Sequence, residues 1–334
     1  MMEKPIGQDS ASAATILDAI AALISEDRVF RLDHYLGKAA VQNLMALRFG
    51  NTLLEAVWNR NHIESVHILV AENGGVDGRD AYYARSGALR DMVQSHILQL
   101  LCLVAMEPPV SLEADRIRDE KVKVLRSLRP LDPRHAALHT LRARYGAGQI
   151  DGVQVPGYQP PADTDPETFA AVTAHIDNWR WAGVPFHLVT GKRLPQRSTQ
   201  VVITLKPVTH WLFDNPTRGQ ATPNRITLQL QPAENIQLGL MSSLAGPEWG
   251  AIELTPLDLE LSVPTGLHRR IAYERLFLDA INGNPALFVR DDEVRAAWAW
   301  TDSVIAAWED GGLTMGSYAA GQWGPRRAAA FLPP

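Results

Sequence analysis

Residues 31–38 place an acid, an imidazole, a phenol and an ammonium group within one octapeptide, Arg-Leu-Asp-His-Tyr-Leu-Gly-Lys. A strand-like run precedes this octapeptide and a helix-like run follows it, so the sequence predicts a strand-to-helix junction with Gly37 in the turn. Backbone N–H groups and the positive end of a helix are available at such a junction, which favours binding of an anion. His34, Tyr35 and Lys38 would add side-chain donors. An ordinary solvated turn has the same composition, and these residues alone leave both interpretations open.

A second candidate for chemistry is His96, which lies in the strongest predicted helix, Ser86 to Met106. It shares an apolar helix face with Met92 and Leu100, where a lone histidine is more often a buried structural residue. An imidazole ionises near neutral pH, so the same residue is also suited to general base catalysis. Asp91 lies five residues earlier, about 140° away around an α-helix, so α-helical geometry alone does not direct both side chains into one pocket.

The segment Asp33 to Lys38, followed by Val41-Gln42-Asn43, resembles the substrate-phosphate motif of the glucose-6-phosphate dehydrogenase family. Four further segments are similar to that family in the same order along the chain. They are Glu3-Lys4-Pro5 with Gly7, Gly87 to Gln94 with His96, Gly191-Lys192, and Tyr273 to Leu276 with Leu278-Asp279. Weaker matches at Gln231-Pro232 and Trp323-Gly324-Pro325 extend the resemblance to nearly the whole chain. Five ordered motifs are far more specific than any one of them.

The resemblance implies a role for each of eleven residues. His96 would be the general base that removes the proton from the C1 hydroxyl of the sugar, and Asp33 would pair with its ring. Lys4 would touch the substrate and the nicotinamide together. Carboxylates accept hydrogen bonds from sugar hydroxyls, and lysine and arginine suit a phosphate. The residues implied to bind the substrate are His34, Tyr35, Lys38, Glu72, Asp91, Lys192, Arg197 and Gln231.

The family activity implied by the resemblance is oxidation of glucose 6-phosphate by NADP to 6-phosphogluconolactone, the entry to the pentose phosphate pathway. Members are expected to begin with a nucleotide-binding domain that opens on a Gly-x-x-Gly-Asp-Leu-Ala turn. The 334 residues contain no such turn, and their one Gly-x-Gly, at 146–148, reads as a loop. We therefore expect 1–33 to be a remnant of the dinucleotide-binding domain and 34–334 to be a substrate-binding and oligomerisation domain. Catalysis by the isolated chain is not expected. The alternative is a non-catalytic truncated homologue that binds sugar phosphate or pairs with other subunits.

Composition restricts the class of protein. The net charge of −5, with lysine and arginine scattered along the chain, argues against a nucleic-acid footprint. The single cysteine, Cys102, allows no disulfide within the chain and fits a reducing compartment. No apolar run reaches the ~20 residues of a membrane span, so we expect a cytoplasmic protein without membrane contacts. His135 and His139 have the spacing of a metal-binding pair, but no nearby acidic ligand completes a site, and we predict none.

The elements that must position these residues indicate an α+β fold with a large, mostly antiparallel sheet packed against helices, preceded by a short α/β remnant. Ile226, Leu228 and Leu230 alternate with Thr227 and Gln229, as expected of a strand with one buried face. The exposed sheet of such domains usually pairs, so we also expect a homo-oligomer formed through the sheet, with the number of copies left open. Strands are predicted at Ile63–Glu72, Phe186–Thr190, Gln200–Lys206, Arg225–Gln231, Asn235–Met241 and Ile252–Ser262. Helices are predicted at Ser10–Ser25, Gly37–Leu47, Ser86–Met106, Phe169–Ala182, Ala272–Asn282 and Asp291–Glu309.

Overall fold

The computed structural model describes residues 1–210, 222–244, 253–262 and 271–334. Its α-helices are α1 Ser10–Ala21, α2 Ala39–Phe49, α3 Thr52–Glu55, α4 Asp80–Ala88, α5 Leu98–Ala105, α6 Ala114–Arg126, α7 Ala136–His139, α8 Ala272–Ile281 and α9 Asp291–Asp310. A π-helix, Leu89–Ile97, joins α4 to α5. Short 3₁₀ helices lie at Glu26–Arg28, Pro133–His135 and Arg326–Ala330. No helix in these four ranges is long and apolar enough to cross a membrane.

The strands are β1 Met2–Glu3, β2 Arg31–Leu32, β3 Ile63–Ala71, β4 Thr140–Gly146, β5 Gly148–Ile150, β6 Val153–Val155, β7 Phe169–His175, β8 Pro185–Gly191, β9 Ser198–Leu205, β10 Arg225–Gln231, β11 Asn235–Leu244, β12 Glu253–Ser262, β13 Phe288–Val289 and β14 Gly316–Ala319. Nine of them form one sheet in the order β12-β11-β10-β9-β3-β8-β7-β4-β14. Only the β3–β8 and β4–β14 pairs in this sheet are parallel. The predicted α+β class with a mostly antiparallel sheet is therefore confirmed.

The central strands of the sheet are buried on both faces. Val66, Ile68 and Val70 of β3 pack into a core that includes every residue of α5 except Gln99. Leu69 and Ala71, which alternate with them, pack into a second core that contains Tyr318 and Phe331 from the C-terminal segment. The helix that bears His96 thus covers one face of the sheet, and the C-terminal segment covers the other.

The prediction of a helix over Phe169–Ala182 is wrong, because Phe169–His175 forms strand β7 in the middle of the sheet. Ala170 and Val172 enter the core on the helix side, whereas Phe169 and Ala171 enter the other core. A strand that is buried on both faces shows no polar alternation. Alanine also favours helix intrinsically, so tertiary packing overrides the local preference here.

A second, three-stranded sheet lies beside the large one. Strand β1 pairs in parallel with β2, and β13 pairs antiparallel to β2. The register places Glu3 opposite Leu32, so the residues that follow these two positions, Lys4 and Asp33, leave the small sheet at the same end. Two short strands near the start of the chain thereby bring a lysine and an aspartate that are distant in sequence to one place.

Candidate active site

The predicted strand-to-helix junction is confirmed, since the turn from Asp33 to Lys38 connects β2 to α2. Asp33 organises this turn: its Oδ1 accepts a hydrogen bond from Tyr35 N at 2.9 Å, and its carbonyl oxygen accepts from Leu36 N at 3.1 Å. Gly37 is needed because α8 passes close by, and a Cβ at this position would lie 2.7 Å from the carbonyl oxygen of Ala272. The turn is therefore held by its own aspartate and by a neighbouring helix.

His96 and Asp33 form a buried pair, with Nδ1 and Oδ1 2.7 Å apart and side-chain exposures of 2% and 4%. Burial by itself would raise the pKa of Asp33, but the attraction of the His96 ring and the hydrogen bond to it prevail and lower that pKa to about 2. The carboxylate is therefore ionised and fixes one side of the imidazole. Within the described part of the chain, no group hydrogen-bonds Nε2 on the other side, which leaves this nitrogen available to a ligand.

Asp91 reaches the same place as His96 because residues 89–97 are π-helical rather than α-helical. In a π-helix the hydrogen bonds join residues i and i+5 and each turn holds more residues than in an α-helix, so residues five apart lie closer together around the helix axis. Lys4 Nζ lies 3.0 Å from Asp91 Oδ1, and the Tyr82 hydroxyl donates to the same oxygen at 3.0 Å. Burial opposes ionisation of Asp91, but the ion pair and hydrogen bond with Lys4 lower its pKa.

Glu72 and Lys192 meet at the end of the parallel strand pair β3–β8. Glu72 N donates to the Gly191 carbonyl oxygen at 3.0 Å, which extends the pairing by one step. The side chains of the two residues form an ion pair, with Lys192 Nζ 2.6 Å from Glu72 Oε2. Because the strands run in parallel, their two carboxyl ends bring these charges together although 120 positions separate them.

Two cations converge on a single amide, that of Gln231. With its amide oriented to satisfy its neighbours, Gln231 Oε1 accepts from Lys38 Nζ at 3.1 Å and from Arg197 Nη2 at 3.3 Å. Burial and the nearby Arg197 charge lower the pKa of Lys38 to about 8. The Lys38 ammonium also lies 3.5 Å from the centroid of the Tyr35 ring. An anion placed here would relieve the repulsion between the two cations, so the arrangement suits a phosphate.

These groups surround a cavity of about 410 Å³, called the site cavity below. Nine of the eleven residues predicted from the sequence line it. The other two, Asp33 and Lys192, lie directly behind the wall and contact His96 and Glu72. The lining residues that the sequence predicted are Lys4, His34, Tyr35, Lys38, Glu72, Asp91, His96, Arg197 and Gln231.

Six further residues line the site cavity and were missed as site residues: Glu3, Ala71, Arg79, Tyr82, Met92 and Tyr273. Tyr273 donates to Glu3 Oε1 at 2.7 Å and stacks parallel to the His34 ring at 5.9 Å between centroids. Glu3 and Tyr273 both lie inside motifs that the sequence analysis identified, so those motifs could have indicated them as site residues. Arg79 and Tyr82 lie in a stretch without any pattern that marks them.

One group of side chains in the described ranges has donor atoms close enough to hold a metal ion, namely Asp33, His34 and His96, whose atoms lie within 4.8 Å of one another. Burial and the neighbouring His96 lower the pKa of His34 to about 4, so its ring is neutral. The cations Lys4 and Lys38 line the same cavity and oppose a metal ion. The predicted lack of a metal stays a prediction.

Two known family models match this chain, one after the other along its length. The family described as "Glucose-6-phosphate dehydrogenase, C-terminal domain" matches residues 45–333, and the one described as "Glucose-6-phosphate dehydrogenase, NAD binding domain" matches residues 1–43. The chain belongs to the glucose-6-phosphate dehydrogenase family. The recognition made from the motifs is thereby confirmed, and so is the enzyme class, an oxidoreductase.

Individual relatives agree with the family match. A glucose-6-phosphate 1-dehydrogenase from Zymomonas mobilis is 49% identical over 99% of this chain and 69% of its own length. One from Rhizobium meliloti is 47% identical over 99% of this chain and 68% of its own length. A solved structure, "Glucose-6-phosphate dehydrogenase in complex with its substrate glucose-6-phosphate", superposes with a TM-score of 0.89 at 35% identity, covering 99% of this chain and 67% of that one. A nicotinamide cofactor is supported by the match of residues 1–43 to an NAD-binding domain.

Proposed function

We propose that this chain binds glucose 6-phosphate in the site cavity and provides the sugar-phosphate half of a glucose-6-phosphate dehydrogenase that uses NADP. The observation that carries the proposal is the set of charged and hydrogen-bonding groups that line the site cavity. One cavity combines the unpartnered Nε2 of His96 with Lys38 and Arg197, which converge on Gln231. A sugar that carries a phosphate as well as a reactive hydroxyl matches that combination.

The phosphate would bind Lys38 and Arg197 next to the Gln231 amide, with His34 and Tyr35 beside it. Burial raises the pKa of the Tyr35 hydroxyl to about 12, so it remains protonated and can donate a hydrogen bond. Ionised Asp91 and the Glu72–Lys192 pair would accept hydrogen bonds from and donate them to the ring hydroxyls. The relative whose solved structure contains glucose 6-phosphate supports this assignment.

In the mechanism, His96 Nε2 removes the proton from the C1 hydroxyl as the hydride leaves C1. The Asp33 carboxylate holds the ring in orientation through Nδ1 and stabilises the imidazolium that forms. Lys4, which is hydrogen-bonded to Asp91, lies beside the reacting carbon and helps to position it. The bound nicotinamide supplies the acceptor for the hydride.

A second cavity, of about 380 Å³, adjoins the site cavity and shares Lys4 and Tyr82 with it. Its lining combines apolar side chains such as Ile6 and Trp298 with the cations Arg85 and Arg90. Flat apolar walls beside positive charge fit a nicotinamide ring and a neighbouring anionic group. Lys4, with Arg85 and Arg90, would hold that part of the cofactor. The choice of NADP over NAD rests on the family resemblance.

Isothermal titration calorimetry tests the sugar-phosphate assignment. Glucose 6-phosphate is expected to bind, and its affinity should fall with added salt because the phosphate contacts are electrostatic. Glucose should bind much more weakly. Equal affinities for glucose and glucose 6-phosphate would contradict the proposal. The non-catalytic alternative, a homologue that binds sugar phosphate or pairs with other subunits, is tested separately: it predicts no turnover when a nucleotide-binding unit is supplied.

We also propose that the chain has two domains, 1–33 and 34–334, and that it is located in the cytoplasm. We further propose that two copies of the chain associate through the large sheet. Strand β12 is at the end of the described strand order, and its Leu257 and Leu259 are 40% and 41% exposed. An edge strand with exposed leucines favours pairing with a second chain. Sedimentation equilibrium is expected to show a dimer, and Leu257→Lys with Leu259→Lys is expected to weaken it.

A further inference from the structure

Glu167 lies just before β7, is 5% exposed, and contacts the start of the helix that bears Asp91 and His96. Its Oε1 accepts a hydrogen bond from Leu89 N at 2.8 Å. Its backbone carbonyl accepts from Ala88 N at 2.9 Å. Glu167 therefore accepts hydrogen bonds from both Ala88, the last residue of α4, and Leu89, the first residue of the π-helix. A negative charge at this position interacts favourably with the positive end of the helix.

Gly87 shows that the backbone is shaped around this carboxylate. Its φ is +59°, which ends the regular geometry of α4 immediately before the π-helix. A Cβ at this position would lie 2.5 Å from both carboxylate oxygens of Glu167. Only glycine allows both this conformation and this approach. The break in the helix and the buried carboxylate are thus parts of one arrangement.

Thr168, the residue after Glu167, contacts the segment that contains Lys192. The carbonyl oxygen of Thr168 accepts from Lys192 N at 2.9 Å. The Tyr318 hydroxyl donates to the Lys192 carbonyl oxygen at 2.6 Å and lies 3.2 Å from Thr168 Oγ1. Lys192 in turn pairs with Glu72. Two consecutive residues, neither of which lines the site cavity, therefore contact both of the segments that supply its sugar-binding groups.

We propose that Glu167 is a positioning residue for the sugar-phosphate site: its carboxylate caps the helix bearing Asp91 and His96 and keeps that helix in register with Lys192 through Thr168. The inference rests on the proposed function of the site cavity. Burial raises the pKa of Glu167, and the hydrogen bond from Leu89 N offsets part of the lost hydration of the carboxylate. Loss of the cap would let Asp91 and His96 shift relative to Lys192 without removing any group that touches the sugar.

The test compares Glu167→Ala with Glu167→Gln in the full chain. The amide oxygen of glutamine can still accept from Leu89 N, whereas alanine leaves that N–H without its acceptor. Glu167→Ala is expected to weaken glucose 6-phosphate binding by about fivefold to tenfold, the worth of a helix cap, and Glu167→Gln should recover most of the loss. Asp165→Asn is the matched control, because Asp165 is an exposed carboxylate two residues away that pairs with Arg144. It should leave the affinity unchanged.

A general loss of stability is separated from positioning by Val122→Ala, a core truncation on α6 away from the site cavity. NMR signals of the His96 ring are recorded for each variant. Movement of these signals in Glu167→Ala but not in Val122→Ala supports positioning, even if the wild-type chain fails to bind glucose 6-phosphate and the proposed function is wrong. Unchanged ring signals, or an affinity loss no larger than that of Val122→Ala, would overturn the inference.

Discussion

Asp91 and His96 lie five residues apart on the π-helix Leu89–Ile97, and both side chains line the site cavity. On an α-helix the same spacing would separate them by about 140°. The π-helical hydrogen-bond pattern therefore brings the proposed acceptor for a sugar hydroxyl to the same cavity as the proposed base. Gly87, whose positive φ precedes this segment, and Glu167, which caps it, explain where the segment begins.

Lys38→Ala is expected to weaken binding of glucose 6-phosphate by about 10- to 100-fold, because a charged hydrogen bond to the phosphate is lost. Lys38 reaches the Gln231 amide beside Arg197. Lys206→Ala is the control, since Lys206 is an exposed lysine that does not line the site cavity. Calorimetry with both variants decides the matter. Equal losses would place the phosphate elsewhere.

His96→Asn is expected to lower turnover by about 10²–10⁴-fold in an enzyme that contains this chain together with a nucleotide-binding unit. The affinity for glucose 6-phosphate should change little, because asparagine can still donate to Asp33 and keep the wall of the cavity. Single-turnover kinetics with NADP measure the chemical step separately from binding. An unaltered rate would assign the base to another group, of which Asp33 is the nearest.

A polypeptide of residues 1–334 by itself is expected to reduce no NADP in the presence of glucose 6-phosphate. Hydride transfer requires the two carbon atoms to be held about 3–3.5 Å apart, and a dinucleotide is normally fixed by a glycine-rich strand–turn–helix unit that this sequence does not contain. Absorbance at 340 nm should stay flat, and NADP should not raise the melting temperature. A clear rate from protein free of host enzyme would show that the cavity beside Lys4 holds the cofactor unaided.

Glu293→Ala is expected to lower the free energy of unfolding by about 3–5 kcal/mol, because it leaves the Lys121 ammonium buried without its carboxylate. The two groups are 2.9 Å apart and have side-chain exposures of 1% and 0%. The control is Arg129→Ala, which removes a pair with Asp177 that is exposed on both sides and should cost about 0–1 kcal/mol. Urea denaturation measures both. A loss for Glu293→Ala as small as the control would mean that the buried pair contributes no net stability.

Stability is expected to fall on acidification because two stacked histidines, His67 and His187, are buried in the sheet. Burial lowers the pKa of His67 to about 3 and that of His187 to about 4. The unfolded chain, with ordinary histidines of pKa about 6.5, binds protons first. The stability present above pH 6.5 is therefore lost as the pH falls to about 4 for His187 and to about 3 for His67, by up to about 1.4 kcal/mol per pH unit for each histidine.

The double variant His67→Gln with His187→Gln checks the cause of this pH dependence. Its free energy of unfolding, measured from pH 7.5 to pH 4.5, should show a shallower slope than that of the wild type. The neutral replacements cannot take up protons in either state, so they remove the difference in proton binding. An identical slope in both proteins would assign the acid sensitivity to other groups.

Residue types and short-range order by themselves determine much of the site. The order Asp33, His34, Tyr35 and Lys38 specifies the junction and its donors, because a turn between a strand and a helix is built from neighbours in sequence. The same holds for His96, which a long apolar helix places on its buried side. Five motifs in a fixed order are sufficient to indicate the family.

Tertiary structure alone decided the contacts between distant segments. Glu72 meets Lys192 only because β3 and β8 run in parallel, and Lys4 meets Asp91 only because β1 leaves the small sheet next to the π-helix. The strand Phe169–His175 is likewise a product of burial on both faces, which erases the alternation that marks a strand. Local preferences reflect one residue and its neighbours, whereas these features depend on free energies of packing between elements far apart in the chain.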